Sequence, residues 1–159
     1  ALLPAIERSA ARAFLAVPAL AFLAQEDAGV SESQHRECIA QNTSWVALGP
    51  APHLCGFLCA RKQGNALHIL EVSVAQQEQG KGVGKALVHL CCAEAKQQGF
   101  KSVTLTTFYA VPWNRPFYEK LGFEALKHTE SPAFLQALVQ AEEAHGFPTE
   151  SRCAMRKTL

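Results

Sequence analysis

The stretch QGKGVGKAL, residues 79–87, decides the fold of this chain. It places Gly80, Gly82 and Gly84 at alternate positions between the apolar run ALHILEVSV (66–74) and a helical pattern. Glycine lets the backbone approach a ligand closely, and the first N–H groups of a helix are unpaired donors that suit an anion. The loop therefore predicts a phosphate or pyrophosphate site between a strand and a helix.

Two familiar phosphate-binding loops do not fit this spacing. The Rossmann pattern GxGxxG needs a third glycine where Lys85 stands. The Walker pattern needs glycine where Gln79 stands, and serine or threonine where Ala86 stands. The pattern that remains is [Q/R]xxGxG, filled by Gln79, Gly82 and Gly84. Taken alone, the loop could also be a glycine-rich turn that binds nothing.

The residues around the loop predict an α/β chain. A helix from 81 ends at Gly99, and the β-branched stretch 102–108 follows as a strand, so strands 66–75 and 102–108 should be parallel neighbours. The remaining elements are two N-terminal helices, the second capped by Ser31; strands within 44–49 and 53–62; a helix at 114–121; a strand around 122–126; a helix near 132–145; and a last strand in 152–159.

A second motif, NRPFYEKLGF at residues 114–123, follows downstream with a helix and a strand between the two. In this order, the motifs resemble the GNAT superfamily of acetyl-coenzyme A-dependent N-acetyltransferases. The resemblance implies one domain, 1–159, with an α/β (α+β) fold whose central twisted sheet is mixed, mostly antiparallel and flanked by helices. It also implies that the parallel strands 66–75 and 102–108 splay apart to admit acetyl-coenzyme A as co-substrate.

The resemblance also implies which residues would hold the cofactor. The backbone of Val72, Ser73 and Val74 would pair with the pantetheine amides, and the loop N–H groups would hold the pyrophosphate, while Asn114 and Tyr118 would contact the cofactor arm. The loop residues concerned are Gln79, Gly80, Lys81, Gly82, Val83, Gly84 and Lys85. Lys81 and Lys85 could equally be solvated charges on a helix face.

The chemistry implied by the resemblance is attack of an amine on a thioester, which calls for a general base. Glu71 interrupts an apolar strand at the position where many GNAT enzymes place an acid, so it is the candidate base; it could instead face solvent. His68 or a water relay is the alternative. Tyr118, one helical turn after Asn114, matches the family's acid for the thiolate, and it could also be an aromatic anchor beside Phe117.

The acceptor site in this fold is usually built from the N-terminal helices and from loops that face the thioester. Here that implicates Phe22, Glu26, Tyr109 and Trp113, which would suit a small-molecule or peptide amine with an apolar part. The same apolar residues would equally suit one half of a homodimer interface. A catalytically silent acyl-coenzyme A sensor and an interaction module are the alternative functions on this fold.

Composition argues against several other classes. The 15 Lys and Arg residues are scattered among 14 acidic residues, which disfavours a nucleic-acid partner. Charges and prolines interrupt the apolar N-terminal stretch short of the about 20 apolar residues that span a bilayer, so no membrane contact is expected. The six cysteines show no CxxC pair, which predicts reduced thiols in a cytoplasmic protein and no metal site.

Overall fold

The computed structural model describes residues 2–25, 29–50 and 53–159. Six strands form one mixed sheet in the order β1-β2-β3-β4-β6-β5. The strands are β1 (Ser44–Leu48), β2 (Leu54–Gln63), β3 (Ala66–Val74), β4 (Ser102–Phe108), β5 (Glu124–Leu126) and β6 (Arg152–Thr158). The α/β class and the mixed sheet predicted from the sequence are confirmed.

Helices occupy the segments predicted for them. The α-helices are α1 (Leu3–Ala11), α2 (Glu32–Ala40), α3 (Val83–Gln97), α4 (Arg115–Lys120) and α5 (Ala133–Ala144). Ser31 caps α2 as predicted, because its hydroxyl accepts a hydrogen bond from Gln34 N. Gly99 ends α3 with a left-handed φ of +82°.

The N-terminal helical pattern differs from the prediction in one respect. Apolar residues recur at helical spacing from Ile6 to Phe14, which predicts a helix to Phe14. The structure ends α1 at Ala11, and two short 3₁₀ segments follow, Arg12–Ala16 and Pro18–Ala24. Val17 between them is extended, with φ −117° and ψ 98°. A residue before proline is disfavoured in the helical region, so Pro18 accounts for the break.

Strand pairing confirms the predicted parallel neighbours. The β3–β4 ladder is parallel and its pairs run from Ala66↔Ser102 to His68↔Thr104. β6 pairs antiparallel with β4 along its length and with β5 on its other edge. Thus the strand that follows the glycine-loop helix lies inside the sheet.

The chain divides into two compact units, and the first comprises Ala1–Arg61 and Leu70–Glu94. Cys38, Phe57 and Cys59 form a buried cluster in this unit. Gly56 on β2 permits a close backbone approach, since a Cβ built there would lie 2.7 Å from the Ser73 carbonyl oxygen. Because residue 56 has no side chain, the end of β3, next to the glycine loop, lies close to β2.

The second unit comprises Lys62–Ile69 and Ala95–Leu159. Its sheet residues Leu67, Val103 and Met155 are fully buried, together with Leu135 on α5. This apolar layer supports β4, whose end leads into α4 and the second sequence motif.

All six cysteines lie within the described residues and are buried thiols. Burial raises the pKa of the Cys153 thiol to about 11, and it raises the pKa values of Cys59 and Cys91 further. These three thiols are therefore protonated near neutral pH, and they pack as small apolar side chains. Among the helices that the structure describes, none combines the length and the apolar character that crossing a bilayer requires.

Candidate functional site

The glycine loop leads from a 3₁₀ turn, Gln76–Glu78, into α3. Gly80 and Gly82 have left-handed φ values of +75° and +83°. No described atom lies within 4 Å of a Cβ built at either position. The backbone conformation therefore requires glycine at both positions, and the loop surface is open to a ligand next to the first turn of the helix.

Two side chains predicted to hold phosphate make contacts within their own unit. Gln79 Nε2 donates a hydrogen bond to the Val74 carbonyl oxygen over 3.1 Å, which ties the loop to the end of β3. Lys81 Nζ donates to Glu78 Oε2 over 3.1 Å, and this bond is the main cause of the lowered pKa of Glu78. Lys85 is exposed on α3. The geometry therefore favours backbone N–H groups as the anion donors.

A groove of about 350 Å³ lies beside the loop in the first unit, and its lining is mostly apolar. Its walls come from β1, from the loop and from one face of α3: Val46, Ala47, Lys81, Gly82, Val83, Ala86, Leu87 and Leu90. The sequence did not predict the contribution of β1, because strand order rather than spacing along the chain brings β1 to this face.

Glu71, the candidate base, lies half-buried on β3. Its Oε1 accepts a hydrogen bond of 2.7 Å from the hydroxyl of the buried Ser73, two residues further along the same face. Burial lowers the pKa of His35, and the negative charge of Glu71 raises it by a smaller amount. The carboxylate is thus oriented by a neighbour instead of lying fully in solvent.

His68, the alternative base, is only 3% exposed. Its Nδ1 lies 2.9 Å from the Thr104 hydroxyl, and its ring packs edge-on against Phe134 with the centroids 5.9 Å apart. These contacts are those of a packed histidine within the second unit.

Asn114 precedes α4 in the second unit, and its side chain does not cap that helix. Its Oδ1 instead accepts a hydrogen bond of 2.7 Å from the Thr107 hydroxyl at the end of β4. Its Nδ2 is buried and has no hydrogen-bond partner among the described residues. A buried amide donor without a partner is costly, so this nitrogen is suited to a ligand acceptor.

Tyr118 lies one helical turn after Asn114, and its backbone N–H donates to the Asn114 carbonyl oxygen over 3.2 Å. Its half-buried ring packs edge-on between Phe117 and Phe123, with centroids 5.0 and 5.7 Å away. The ring is therefore an aromatic anchor, and this packing holds the phenol in one orientation.

The candidate acceptor residues show different degrees of exposure. Tyr109 is 51% exposed and Trp113 41% exposed, while Phe22 is half-buried on the 3₁₀ segment Pro18–Ala24. Glu26 lies outside the described residues. Arg115, which the sequence does not single out, lies over the exposed Tyr109 ring, with its guanidinium carbon 4.1 Å from the ring centroid. Arg115 Nε also donates to Glu119 Oε1 over 2.6 Å. This bond fixes the guanidinium over the exposed Tyr109 ring.

Comparison with known families gives one match over most of the chain. Residues 10–123 match the family described as Acetyltransferase (GNAT) family. The matched range includes both the glycine loop and the motif at 114–123.

Solved structures share the fold at low sequence identity. The PaiA N-acetyltransferase from Thermoplasma acidophilum, in complex with coenzyme A, is 16% identical with a TM-score of 0.67, and the match covers 99% of this chain and 91% of that one. The ribosomal-protein-S18-alanine N-acetyltransferase from Escherichia coli is 15% identical with a TM-score of 0.54, over 77% of this chain and 75% of that one.

N-acetylglutamate synthase from Neisseria gonorrhoeae, complexed with coenzyme A and N-acetyl-glutamate, is 14% identical with a TM-score of 0.64. The match covers 83% of this chain but only 28% of that one, so this chain corresponds to one part of the larger synthase. At these identities the likeness concerns the fold.

Proposed function

The chain belongs to the GNAT acetyltransferase family, and we propose that it transfers an acetyl group from acetyl-coenzyme A to a primary amine of a small molecule or peptide. Family membership supports acyl transfer in general. The acetyl donor, the amine acceptor and the roles of individual residues are the proposal.

The glycine loop is the observation that carries the proposal. Gly80 and Gly82 adopt left-handed φ values that other residues rarely take, and the space above both is open among the described residues. Such a backbone can surround a pyrophosphate with N–H donors next to the positive end of α3. The residues from Gln79 to Lys85 would hold the diphosphate, mainly through their backbone, with Lys81 and Lys85 adding positive charge.

Two further features support coenzyme A as the ligand. The β3–β4 ladder pairs residues up to His68↔Thr104, and β3 continues to Val74. The backbone of Val72, Ser73 and Val74 would pair with the pantetheine amides. The buried Nδ2 of Asn114, which lacks a partner among the described residues, would donate to the cofactor arm.

The acceptor amine must lose a proton before it attacks. A primary amine with a pKa of about 10.4 costs about 4.6 kcal/mol to deprotonate at pH 7. Glu71 would accept that proton directly or through a water molecule, and the Ser73 hydroxyl would hold its carboxylate in place. His68 is the less favourable base, because it is buried and bonded to Thr104.

The amine nitrogen would then form a bond to the thioester carbonyl carbon and give a tetrahedral intermediate. The Val74 backbone N–H would stabilise the developing oxyanion. As the carbon–sulfur bond breaks, the leaving thiolate would take a proton from the Tyr118 phenol. The positively charged nitrogen of the intermediate would lose its extra proton, which would return through solvent to the Tyr118 phenolate, and the products are an amide and free coenzyme A. This sequence forms no covalent bond to the enzyme.

Four residues would form the acceptor site. Tyr109 and Trp113 would offer apolar contact, while Phe22 and Glu26 would supply a further apolar surface and a carboxylate for the amine. The related structures act, by their names, on acceptors as different as a protein alanine and glutamate. The proposal therefore stays at the level of a small-molecule or peptide amine with an apolar part.

Calorimetric titration with acetyl-coenzyme A tests the proposal, followed by a thiol-release screen over polyamines, aminoglycosides, amino acids and peptide N-termini. We expect micromolar binding and release of coenzyme A with one class of amine. Absence of binding would contradict the proposal. Binding without release on any amine would indicate an acyl-coenzyme A sensor instead.

A further inference from the structure

Three side chains with metal-binding atoms meet in the first unit, before the glycine loop. His53 immediately precedes β2, Cys55 lies on β2, and Glu78 ends the 3₁₀ turn Gln76–Glu78. Cys55 Sγ lies 3.3 Å from His53 Nε2, which in turn lies 3.4 Å from Glu78 Oε1. The three ligand atoms all lie within 4.8 Å of one another.

These separations match those between the ligands of a tetrahedral zinc ion. With Zn–N and Zn–O bonds of about 2.0–2.1 Å and a Zn–S bond of about 2.3 Å, ligand atoms in a tetrahedron lie about 3.3–3.6 Å apart. The distances from His53 Nε2 to Cys55 Sγ and to Glu78 Oε1 fall within this range. Small side-chain rotations would therefore suffice to place one ion at bonding distance from the three atoms.

The donor set favours zinc over the hard cations. A thiolate and an imidazole are poor ligands for Mg²⁺ and Ca²⁺, which prefer oxygen, whereas zinc takes sulfur, nitrogen and carboxylate oxygen together. A cluster of exposed acids alone would not have this selectivity. The thiol of Cys55 is the feature that distinguishes this cluster from such a surface.

Backbone hydrogen bonds hold the three residues in place. Ala75 N donates to the Cys55 carbonyl, and Glu78 N donates to the Ala75 carbonyl, both over 2.8 Å. Gly49 N donates to the His53 carbonyl over 2.9 Å. The strand and the turn are therefore already fixed next to each other, which lowers the entropic cost of assembling a site.

The cluster is also accessible. The His53 side chain is 47% exposed and that of Glu78 is 16% exposed, while Cys55 is buried beneath them. An ion could enter from solvent, and a water molecule could occupy its fourth position. The Lys81 ammonium, bonded to the other oxygen of Glu78, would orient that carboxylate from outside the site.

We propose that His53, Cys55 and Glu78 bind one Zn²⁺ ion that fastens the turn before the glycine loop to β2. The sequence does not reveal this site, because the distance from residue 55 to residue 78 and the His-x-Cys order match no familiar metal motif. The cysteine spacing predicted no metal site. The inference is independent of the acceptor and of the acyl-transfer chemistry.

The test is metal titration of the full chain, purified under reducing conditions and treated with a chelator. Co²⁺ serves as the spectroscopic probe and Zn²⁺ as its competitor. We expect one equivalent of Co²⁺ to give a thiolate-to-cobalt charge-transfer band, and one equivalent of Zn²⁺ to abolish it. No such band, or a band without a one-to-one stoichiometry, would overturn the proposal.

Variants assign the ligands. His53→Gln, Glu78→Gln and Cys55→Ala should each weaken Zn²⁺ binding at least about tenfold, with Cys55→Ala also removing the charge-transfer band. His89→Gln and Cys153→Ala, which change an exposed histidine and another buried cysteine, are the matched controls and should bind normally. If Cys55→Ala fails to fold by circular dichroism, the exposed His53→Gln decides. Unchanged affinity in His53→Gln and Glu78→Gln would overturn the site.

Discussion

The Thr107 hydroxyl donates a hydrogen bond of 2.7 Å to Asn114 Oδ1, which fixes the Asn114 amide at the end of β4. Because the oxygen is engaged, Nδ2 is left as a buried donor that has no partner among the described residues. Proteins rarely leave such a donor unsatisfied, and exceptions are common where a ligand supplies the acceptor. In the proposed function, this nitrogen would donate to the cofactor arm.

Asn114→Ala should raise the dissociation constant for coenzyme A about tenfold. The variant loses one hydrogen bond to the ligand, which contributes about 1.4 kcal/mol of binding free energy, and that energy corresponds to a factor of about ten. The free protein should lose little stability, because the substitution removes an unsatisfied donor as well as the acceptor of Thr107. Calorimetry and thermal denaturation measure the two effects. Asn65→Ala, in an exposed turn, is the control, and equal coenzyme A affinity in both variants would contradict the assignment.

Gly82→Ala should weaken coenzyme A binding, because alanine opposes the left-handed φ of +83° and would shift the loop N–H groups. Gly99→Ala is a closely matched control: its φ is +82°, and a Cβ at either glycine meets no described atom within 4 Å. Both variants should lose about 1–2 kcal/mol of unfolding free energy. Only Gly82→Ala should change the coenzyme A affinity by calorimetry, and equal affinities would argue against the loop as the phosphate site.

Local sequence signals explain how much of the molecule was predictable. The glycines, the β-branched strand at 102–108 and the cap at Ser31 each act within a few residues, so they located the helices and strands. The pairs Thr107–Asn114 and Arg115–Tyr109 depend on side-chain directions across a turn, which spacing does not encode. The cluster of Cys55 and Glu78 depends on packing between distant segments, so it was found only in three dimensions.

The buried His35 should make stability depend on pH. Burial lowers its pKa below the ordinary value of 6.5, outweighing the opposing charge of Glu71, and both ring nitrogens lack hydrogen-bond partners among the described residues. The unfolded chain therefore binds the proton more tightly than the folded chain. The contribution of neutral His35 to the unfolding free energy is complete above about pH 6.5 and is lost as the pH falls towards the folded-state pKa.

His35→Leu should flatten this dependence, measured as the unfolding free energy by urea denaturation at pH 7.5 and pH 5.5. Glu7 lies 3.6 Å from His35 Nε2 and would partly compensate a proton there, so the effect in the wild type is a partial loss. His89→Gln, at an exposed histidine, should keep the wild-type dependence. Equal slopes in the wild type and in His35→Leu would show that the pKa of His35 is not lowered by folding.

Glu71→Gln should lower kcat about 10²- to 10⁴-fold, the usual contribution of a general base. The amide has the same shape and can still accept the Ser73 hydrogen bond, so coenzyme A affinity and folding should stay near wild type. Glu94→Gln changes another half-buried glutamate, on α3, and should keep full activity. A Glu71→Gln enzyme with wild-type kcat would leave a water relay or His68 as the base.

Tyr118→Phe separates the two roles of this residue. The ring contacts with Phe117 and Phe123 remain, so stability should be unchanged, whereas loss of the phenolic proton should lower kcat about 10²-fold or more. Tyr118→Leu should instead lower the unfolding free energy, because it removes the ring. Tyr109→Phe, at the other tyrosine of the chain, should leave kcat near wild type, because its ring stays beneath Arg115. It should change KM for the acceptor, because it removes a hydroxyl from the proposed acceptor site. Steady-state kinetics with denaturation curves measure both effects, and wild-type kcat in Tyr118→Phe would reduce this tyrosine to an aromatic anchor.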